Sequence, residues 1–144
     1  MSVENQLRDA VQAQQDGDVS RAEQLYQQIL KIDPNNTTAI SNLGIVALGR
    51  RDYQTAEQYL RRALAIHGDD AGAYANLGVI LRAQRRIVEA IACYEQAIKL
   101  KPDFANAHQN LGNALKDQGL LDAAVSAYKR AIELHPGGLM SNSR

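Results

Sequence analysis

The chain has 144 residues, and its sixteen Lys and Arg balance sixteen Asp and Glu, so with neutral His the formal charge is zero. That balance excludes a strongly basic nucleic-acid protein and a polyacidic tail as leading readings. With 22 Ala and 16 Leu beside one Phe and no Trp, the apolar material suits closely packed helices and suits β-sandwiches badly, while three Pro and one Cys exclude collagen-like, Pro-rich and disulfide-framework classes.

Met1 to Gln6 shows no basic flank followed by an apolar core, so no signal peptide is expected. The longest apolar run, Leu43 to Leu48, contains Gly44 and stops at Gly49-Arg50-Arg51, far short of the ~20 residues of a membrane span. A reducing, cytoplasmic setting is the expectation, with no membrane span and no nucleic-acid partner.

Self-similarity decides the organisation. Asn42-Leu43-Gly44, Asn76-Leu77-Gly78 and Asn110-Leu111-Gly112 recur at a spacing of 34 residues. Ala22, Ala56, Ala90 and Ala124 follow the same step, as do Tyr26, Leu60, Tyr94 and Tyr128, and then Pro34, Gly68, Pro102 and Pro136. Four units result, 3–36, 37–70, 71–104 and 105–138, forming a single repeat domain over 3–138 with a short tail at 139–144.

Each unit predicts two amphipathic helices of about 12–14 residues, marginal alone and dependent on their neighbours. The first unit departs most, because Gln6 and Asp9 stand where Ile40/Tyr74/His108 and Leu43/Leu77/Leu111 stand elsewhere. A polar first helix suits an end repeat facing water, an N-terminal cap. Asp33-Pro34-Asn35-Asn36 closes this unit, and Asn36 and Asp70 are placed to cap the first helices of the second and third units. Lys101-Pro102-Asp103 closes the third. In the fourth, Ala107, Leu111, Ala114 and Leu115 form one stripe, Gln118-Gly119 a left-handed stop, and Leu121, Ala124, Val125, Tyr128, Ala131 and Ile132 a second stripe. Gly44, Gly78 and Gly112 sit inside helices at a cost of ~1 kcal/mol each against Ala. They predict a point of close helix approach, with the Ala56, Ala90 and Ala124 column expected opposite.

Little points to chemistry. His67, His108 and His135 lie in separate units without metal-ligand spacing. His67 and His135 fall near helix ends, where a cation suits the dipole, and His108 takes an apolar packing position. Cys93 has no resolving partner and is expected to pack. No phosphate loop or triad is present. No metal, no cofactor and no enzyme activity is expected. Arg82, Arg85 and Arg86 form the densest basic spot, either a contact for acidic peptide or phosphate or a solvated turn.

The 34-residue period, the Leu-Gly pair, the Ala column and the closing Pro resemble the tetratricopeptide repeats over residues 3–138. The resemblance implies an all-α solenoid, a right-handed superhelix of four helix-turn-helix repeats. It also implies a non-catalytic scaffold whose first helices line a concave groove for a peptide or protein segment. Groove positions would be Leu7, Arg8 and Val11, then Thr38, Ser41, Asn42 and Ile45. Units three and four would add Ala75, Asn76, Val79 and Arg82, then Asn106, Gln109, Asn110, Asn113 and Lys116. The Asn42, Asn76 and Asn110 column looks like the asparagine ladder of O-linked N-acetylglucosamine transferase repeats, in which each amide grips a peptide unit. The other reading has each Asn bonding an adjacent helix. The pairs Leu7/Val11, Ser41/Ile45 and Ala75/Val79 replace the Lys and Asn with which related repeat domains clamp chaperone C-termini, so that adaptor function is not expected.

Two alternatives stand beside the scaffold. One is the targeting fragment of a larger glycosyltransferase of that kind. The other is a self-associating module, a homodimer through the fourth repeat. Residues 139–144 are too short for a lid helix, so Leu121, Val125, Ile132 and Leu134 are expected to stay partly uncovered.

Overall fold

The computed structural model describes residues 2–136. Among them are eight helices and no strand. In chain order they are α1 Val3–Gln15, α2 Val19–Ile32, α3 Thr37–Gly49, α4 Tyr53–Ile66, α5 Ala71–Ala83, α6 Ile87–Leu100, α7 Ala105–Asp117 and α8 Leu121–Leu134. The odd helices start at 3, 37, 71 and 105 and the even ones at 19, 53, 87 and 121, so the backbone keeps the 34-residue step of the sequence columns. Gly137, Gly138 and the tail expected at 139–144 lie outside the described residues.

Local chemistry sets the starts. Asn36 and Asp70 cap α3 and α5, accepting from the backbone N–H groups of Ala39 at 3.0 Å and Ala73 at 3.1 Å. Ser2, Asp18 and Asp52 do the same for α1, α2 and α4. Arg86, Phe104 and Leu120, which precede α6, α7 and α8, make no side-chain cap bond.

Every first helix stops in the same turn. The N–H groups of Asp18, Asp52, Arg86 and Leu120 each reach back to the carbonyls of Ala13, Ala47, Leu81 and Leu115 at 2.8–3.0 Å. The residue before each donor takes a left-handed conformation: Gly17 (φ 84°), Arg51 (φ 61°), Arg85 (φ 65°) and Gly119 (φ 78°). Glycine fits this geometry freely; arginine does not. Arg51→Gly is therefore expected to raise stability by about 0.5–1 kcal/mol, after allowing for the extra freedom of glycine in the unfolded chain. A urea midpoint that stays put or falls would contradict this.

The chain divides into two compact units, Met1–Gly68 and Asp69–Arg144. In the first, α1 packs on α2, α2 on α3, and α3 on α4. Its core gathers Ala10, Ala13, Ala22, Tyr26, Ile29, Ala39 and Leu43, with Val3, Leu7, Val11, Leu25, Leu30 and Tyr59 packed against them. In the second unit α5 packs on α6, α6 on α7 and α7 on α8, with α5 also touching α7. There Ala75, Ala97 and Ala107 sit together under Tyr74, Ile98 and Phe104.

The helical glycines mark close approach, but the facing side chain differs from expectation. A Cβ on Gly44 would lie 3.0 Å from Leu60 Cγ, one on Gly78 2.5 Å from Tyr94 Cε1, and one on Gly112 2.7 Å from Tyr128 Cε1. The nearest side chain is thus one turn beyond the alanine column, at the Leu60/Tyr94/Tyr128 column. Residues four apart share a helix face, so the large side chain covers the glycine while the alanine on the same face is also buried.

The first helix also departs from a simple water-facing cap. Gln6 is half-buried, and its Oε1 is buried without a hydrogen-bond partner among the described residues. An uncompensated polar atom of this kind is destabilising.

Candidate interaction surface

In the first unit the sequence-predicted positions fall into two groups. Leu7 and Val11 pack against the core, so they are not open groove positions. Arg8 and Thr38 are exposed, and Ser41, Asn42 and Ile45 are half-buried. Asn42 Nδ2 donates to the Tyr26 hydroxyl at 3.0 Å, and that hydroxyl donates to Gln14 Oε1 at 2.6 Å. The Asn42 amide is therefore tied to α2, as the neighbour-bonding reading has it. Burial of the Tyr26 ring pushes its pKa up, partly offset by the Asn42 bond. A cavity of about 310 Å³ lies beside this network, lined by Gln14, Val19, Ile45, Val46, Gly49 and Arg50. Arg50 is paired with Glu23 at 2.8 Å.

Among the predicted positions, those of the second unit are the more polar. Ala75 is buried and takes no part in a surface. Asn76 and Val79 are half-buried on α5, and Arg82 lies one turn further along. On α7, Asn106 and Lys116 are exposed while Gln109, Asn110 and Asn113 are half-buried. These five occupy one stripe at helical spacing, opposite the buried Ala107, Gly112 and Ala114. Asn110 Nδ2 donates to Asn106 Oδ1 at 2.8 Å along the stripe, and Asn113 Oδ1 accepts from the Tyr128 hydroxyl at 2.5 Å.

Arg82 joins α5 to the end of α7. Its Nε and a terminal nitrogen donate to the two carboxylate oxygens of Asp117 at 2.6 and 3.2 Å, a fork-to-fork pair. The hydrogen bond from Arg82 holds the Asp117 carboxyl below its usual range, and Asp117 in turn raises the Arg82 pKa. The folded carboxyl thus loses its proton more readily than the unfolded one. Its stabilisation is present above about pH 3.8 and is lost as pH falls through the lower folded value. The pair is partly exposed, so the effect is small. Asp117→Asn is expected to flatten the acid limb of the stability profile below that pH, and an unchanged limb would contradict the assignment.

The basic spot separates into three roles. Arg82 is bound to Asp117, and Arg86 is held by Glu89 and Gln84. Arg85, on the left-handed turn, is exposed and makes no ion pair among the described residues. His108 is half-buried with Nε2 3.0 Å from the Pro102 carbonyl oxygen, and His67 and His135 follow the last residues of α4 and α8. Cys93 is half-buried. No cluster of three or more metal-ligating side chains occurs among the described residues.

Helix α8 carries the largest apolar exposure of the second unit's last helix pair. Leu121, Val125 and Ile132 are 61%, 49% and 42% exposed, whereas Leu134 is half-buried and borders a cavity with Lys101, Phe104 and His135. No helix among the described residues is long and apolar enough to cross a membrane.

The positions missed by sequence reasoning are the tethers. Tyr26 and Tyr128 appeared as packing residues, yet their hydroxyls fix Asn42, Gln14 and Asn113. For Tyr26 the spacing of a Tyr 16 residues before an Asn was a visible signal, but the same spacing at 94/110 forms no such bond, and Tyr128 bonds an Asn 15 residues before it. Asp117 gave none beyond its sign.

Comparison with known proteins agrees with this architecture. Tetratricopeptide repeat models match residues 13–78 and 105–137, and a TPR repeat model matches 80–119. Searched against curated proteins, the sequence finds no match. A crystal structure of MamA is similar at 29% identity and a TM-score of 0.85, covering 96% of this chain and 81% of that one. MamA from Desulfovibrio magneticus RS-1 is similar at 25% identity and 0.84, covering 94% and 77%. An O-GlcNAc transferase from Thermobaculum terrenum is 34% identical with a TM-score of 0.75; the match covers 78% of this chain but only 22% of the transferase. Eight helices in a 34-residue step, models matching from 13 to 137 and these likenesses lead to one conclusion: the chain is an all-α helical-repeat solenoid and belongs to the tetratricopeptide repeat family.

Proposed function

We propose that this chain is a non-catalytic scaffold that binds a peptide or protein segment along the polar faces of its first helices. The α7 stripe carries this reading. Asn106, Gln109, Asn110, Asn113 and Lys116 line one face, although Asn is a poor helix former and only Asn113, through Tyr128, is tied to the packed side chains. Such side chains offer both donors and acceptors to a peptide backbone, independent of its sequence. Each neutral bond contributes only about 0.5–1.5 kcal/mol, so several must act together. Ser41, Asn42, Asn76, Arg82 and Arg8 extend the proposal to the other first helices, with Asn42 serving chiefly to orient Tyr26. A peptide array probed with wild type and with an N106A/Q109A/N110A variant tests it. Loss of the bound spots by a variant with an unchanged melt supports the stripe; identical binding by both contradicts it.

The exposed Leu121, Val125 and Ile132 on α8 favour a second reading, self-association through the last repeat. Sedimentation at micromolar concentration decides it. A dimer that Val125→Glu dissociates supports the reading, and a strict monomer removes it. The likeness to part of a transferase favours a third, in which the repeats recognise substrate for a larger glycosyltransferase. The coding sequence that flanks this segment tests that directly.

A further inference from the structure

Three columns that close on one another in the first unit stay apart in the second. Gln14, Tyr26 and Asn42 are joined through the Tyr26 hydroxyl at 2.6 and 3.0 Å. Sixty-eight residues on, the same columns hold Arg82, Tyr94 and Asn110. Here Arg82 turns to Asp117 and Asn110 turns to Asn106. The Tyr94 hydroxyl makes no hydrogen bond among the described residues, and burial pushes its pKa up to about 12, so it is a neutral O–H donor at any physiological pH. Between these groups lies a cavity of about 310 Å³, lined by Val79, Arg82, Ala83, Arg85, Tyr94 and Asn110.

The lining is rich in donors and carries surplus positive charge. Arg82 is ion-paired with Asp117, whose carboxylate also feels the Arg85 guanidinium without a direct ion pair to it, so the two cations and one carboxylate leave one net positive charge at the rim. The Arg85 side chain projects from a turn that is fixed by the Arg85 N–H to Arg82 carbonyl bond at 2.9 Å. One guanidinium outside any direct ion pair, one phenolic O–H and one side-chain amide match a single planar anion with two acceptor oxygens. A dianionic phosphate would need a second uncommitted cation. At ~30 Å³ per water, the volume holds roughly ten waters, ample for a carboxylate side chain that displaces some of them. Val79 and Ala83 supply the apolar wall against which methylene groups can lie.

We propose that this cavity is a subsite for the carboxylate of a Glu or Asp side chain in the bound segment. Arg85 serves as its counter-ion, with the Tyr94 hydroxyl and the Asn110 amide as further donors. The proposal rests on the peptide-binding reading above and specifies the ligand's chemistry. Asn110 reaches the carboxylate by exchanging its bond to Asn106, which is exposed and readily replaced by water.

The test uses an array of random twelve-residue peptides, with every bound sequence resynthesised with Glu→Gln, Asp→Asn and phosphoserine at each acidic position. Wild type is expected to select peptides with an acidic residue at one fixed position, and the amide version should bind at least about tenfold more weakly, the range for a hydrogen bond to a charged group. Arg85→Gln should bring the acid-to-amide ratio near one. Arg51→Gln, at the corresponding turn of the first unit, should leave that ratio unchanged. Arg85→Lys, which keeps the charge and loses the fork, should give an intermediate ratio. If peptides bind with no acidic preference, or Arg85→Gln retains it, the subsite is overturned while the scaffold reading stands. Stronger binding of phosphoserine than of Glu at that position overturns the carboxylate assignment. If wild type binds no peptide at all, both readings fall together.

Discussion

Tyr26→Ala is expected to destabilise the first unit by about 3–5 kcal/mol, the largest single effect foreseen for this chain. The ring is fully buried at the centre of the α1–α2–α3 core, among Ala10, Ala13, Ala22, Ile29 and Leu43. Alanine neighbours have little side chain to move into the vacated volume, so the cavity stays open. The hydroxyl adds a separate, smaller part. Tyr26→Phe keeps the ring but strands Asn42 Nδ2 and Gln14 Oε1, for a loss of about 0.5–1.5 kcal/mol. Urea unfolding of both variants separates the two terms. A Phe variant as damaging as the Ala variant would show that the hydroxyl network, not the packed ring, holds the unit together.

Gly78→Leu is expected to cost about 1–3 kcal/mol in the second unit. A Cβ alone would sit 2.5, 2.8 and 2.8 Å from three atoms of the Tyr94 ring, distances that require movement. That ring is buried, so it cannot swing away into solvent. Gly78→Ala should also destabilise, even though alanine favours a helix by ~1 kcal/mol over glycine. Two other helical glycines serve as internal controls. Gly44 faces the flexible end of Leu60 at 3.0 and 3.2 Å, so its alanine variant should be milder. Gly49 has nothing within 4 Å of a built Cβ, and Gly49→Ala should stabilise by a few tenths of a kcal/mol up to ~1. A thermal melt of Gly78→Leu within error of wild type would remove the close-approach account of the whole glycine column.

These contrasts show how far the sequence could be followed. The period of 34 located every helix pair, because each backbone feature that repeats leaves its own residue type: Asn36 and Asp70 at caps, Gly119 at a left-handed turn, Pro at unit ends. Spacing along one helix could not reveal which side chain crosses to the next. The alanine column and the Leu60/Tyr94/Tyr128 column share a helix face, and only the packed geometry places the larger group over the glycines. Arg51 and Arg85 break the glycine rule at their turns, since a modest backbone strain is tolerated when both reaching-back hydrogen bonds are kept. Gln6 is another such case. Its polar character suggested an open face, whereas its carbonyl oxygen is buried.

The candidate surface was less legible than the fold. Helical spacing put Asn106, Gln109, Asn110, Asn113 and Lys116 on one stripe, and they are so arranged. It could not distinguish an amide free to meet a ligand from one already engaged. Asn42 is committed to Tyr26, Asn113 to Tyr128, and Asn110 only to its exposed neighbour Asn106. The three asparagines of the repeated triplet are chemically alike but differently placed. The pairing of Arg82 with Asp117, 35 residues away, likewise depends on two helix ends meeting, which local pattern does not encode.

The most direct test of the scaffold account is an NMR titration of the isotope-labelled chain with an array-selected peptide. Backbone and side-chain amide shifts are expected to concentrate on α5 and α7, led by Gln109, Asn110 and Arg82, with the buried side of α6 unmoved. Shifts confined to Leu121, Val125 and Ile132 on α8, or no shifts at saturating peptide, would contradict binding along the first helices.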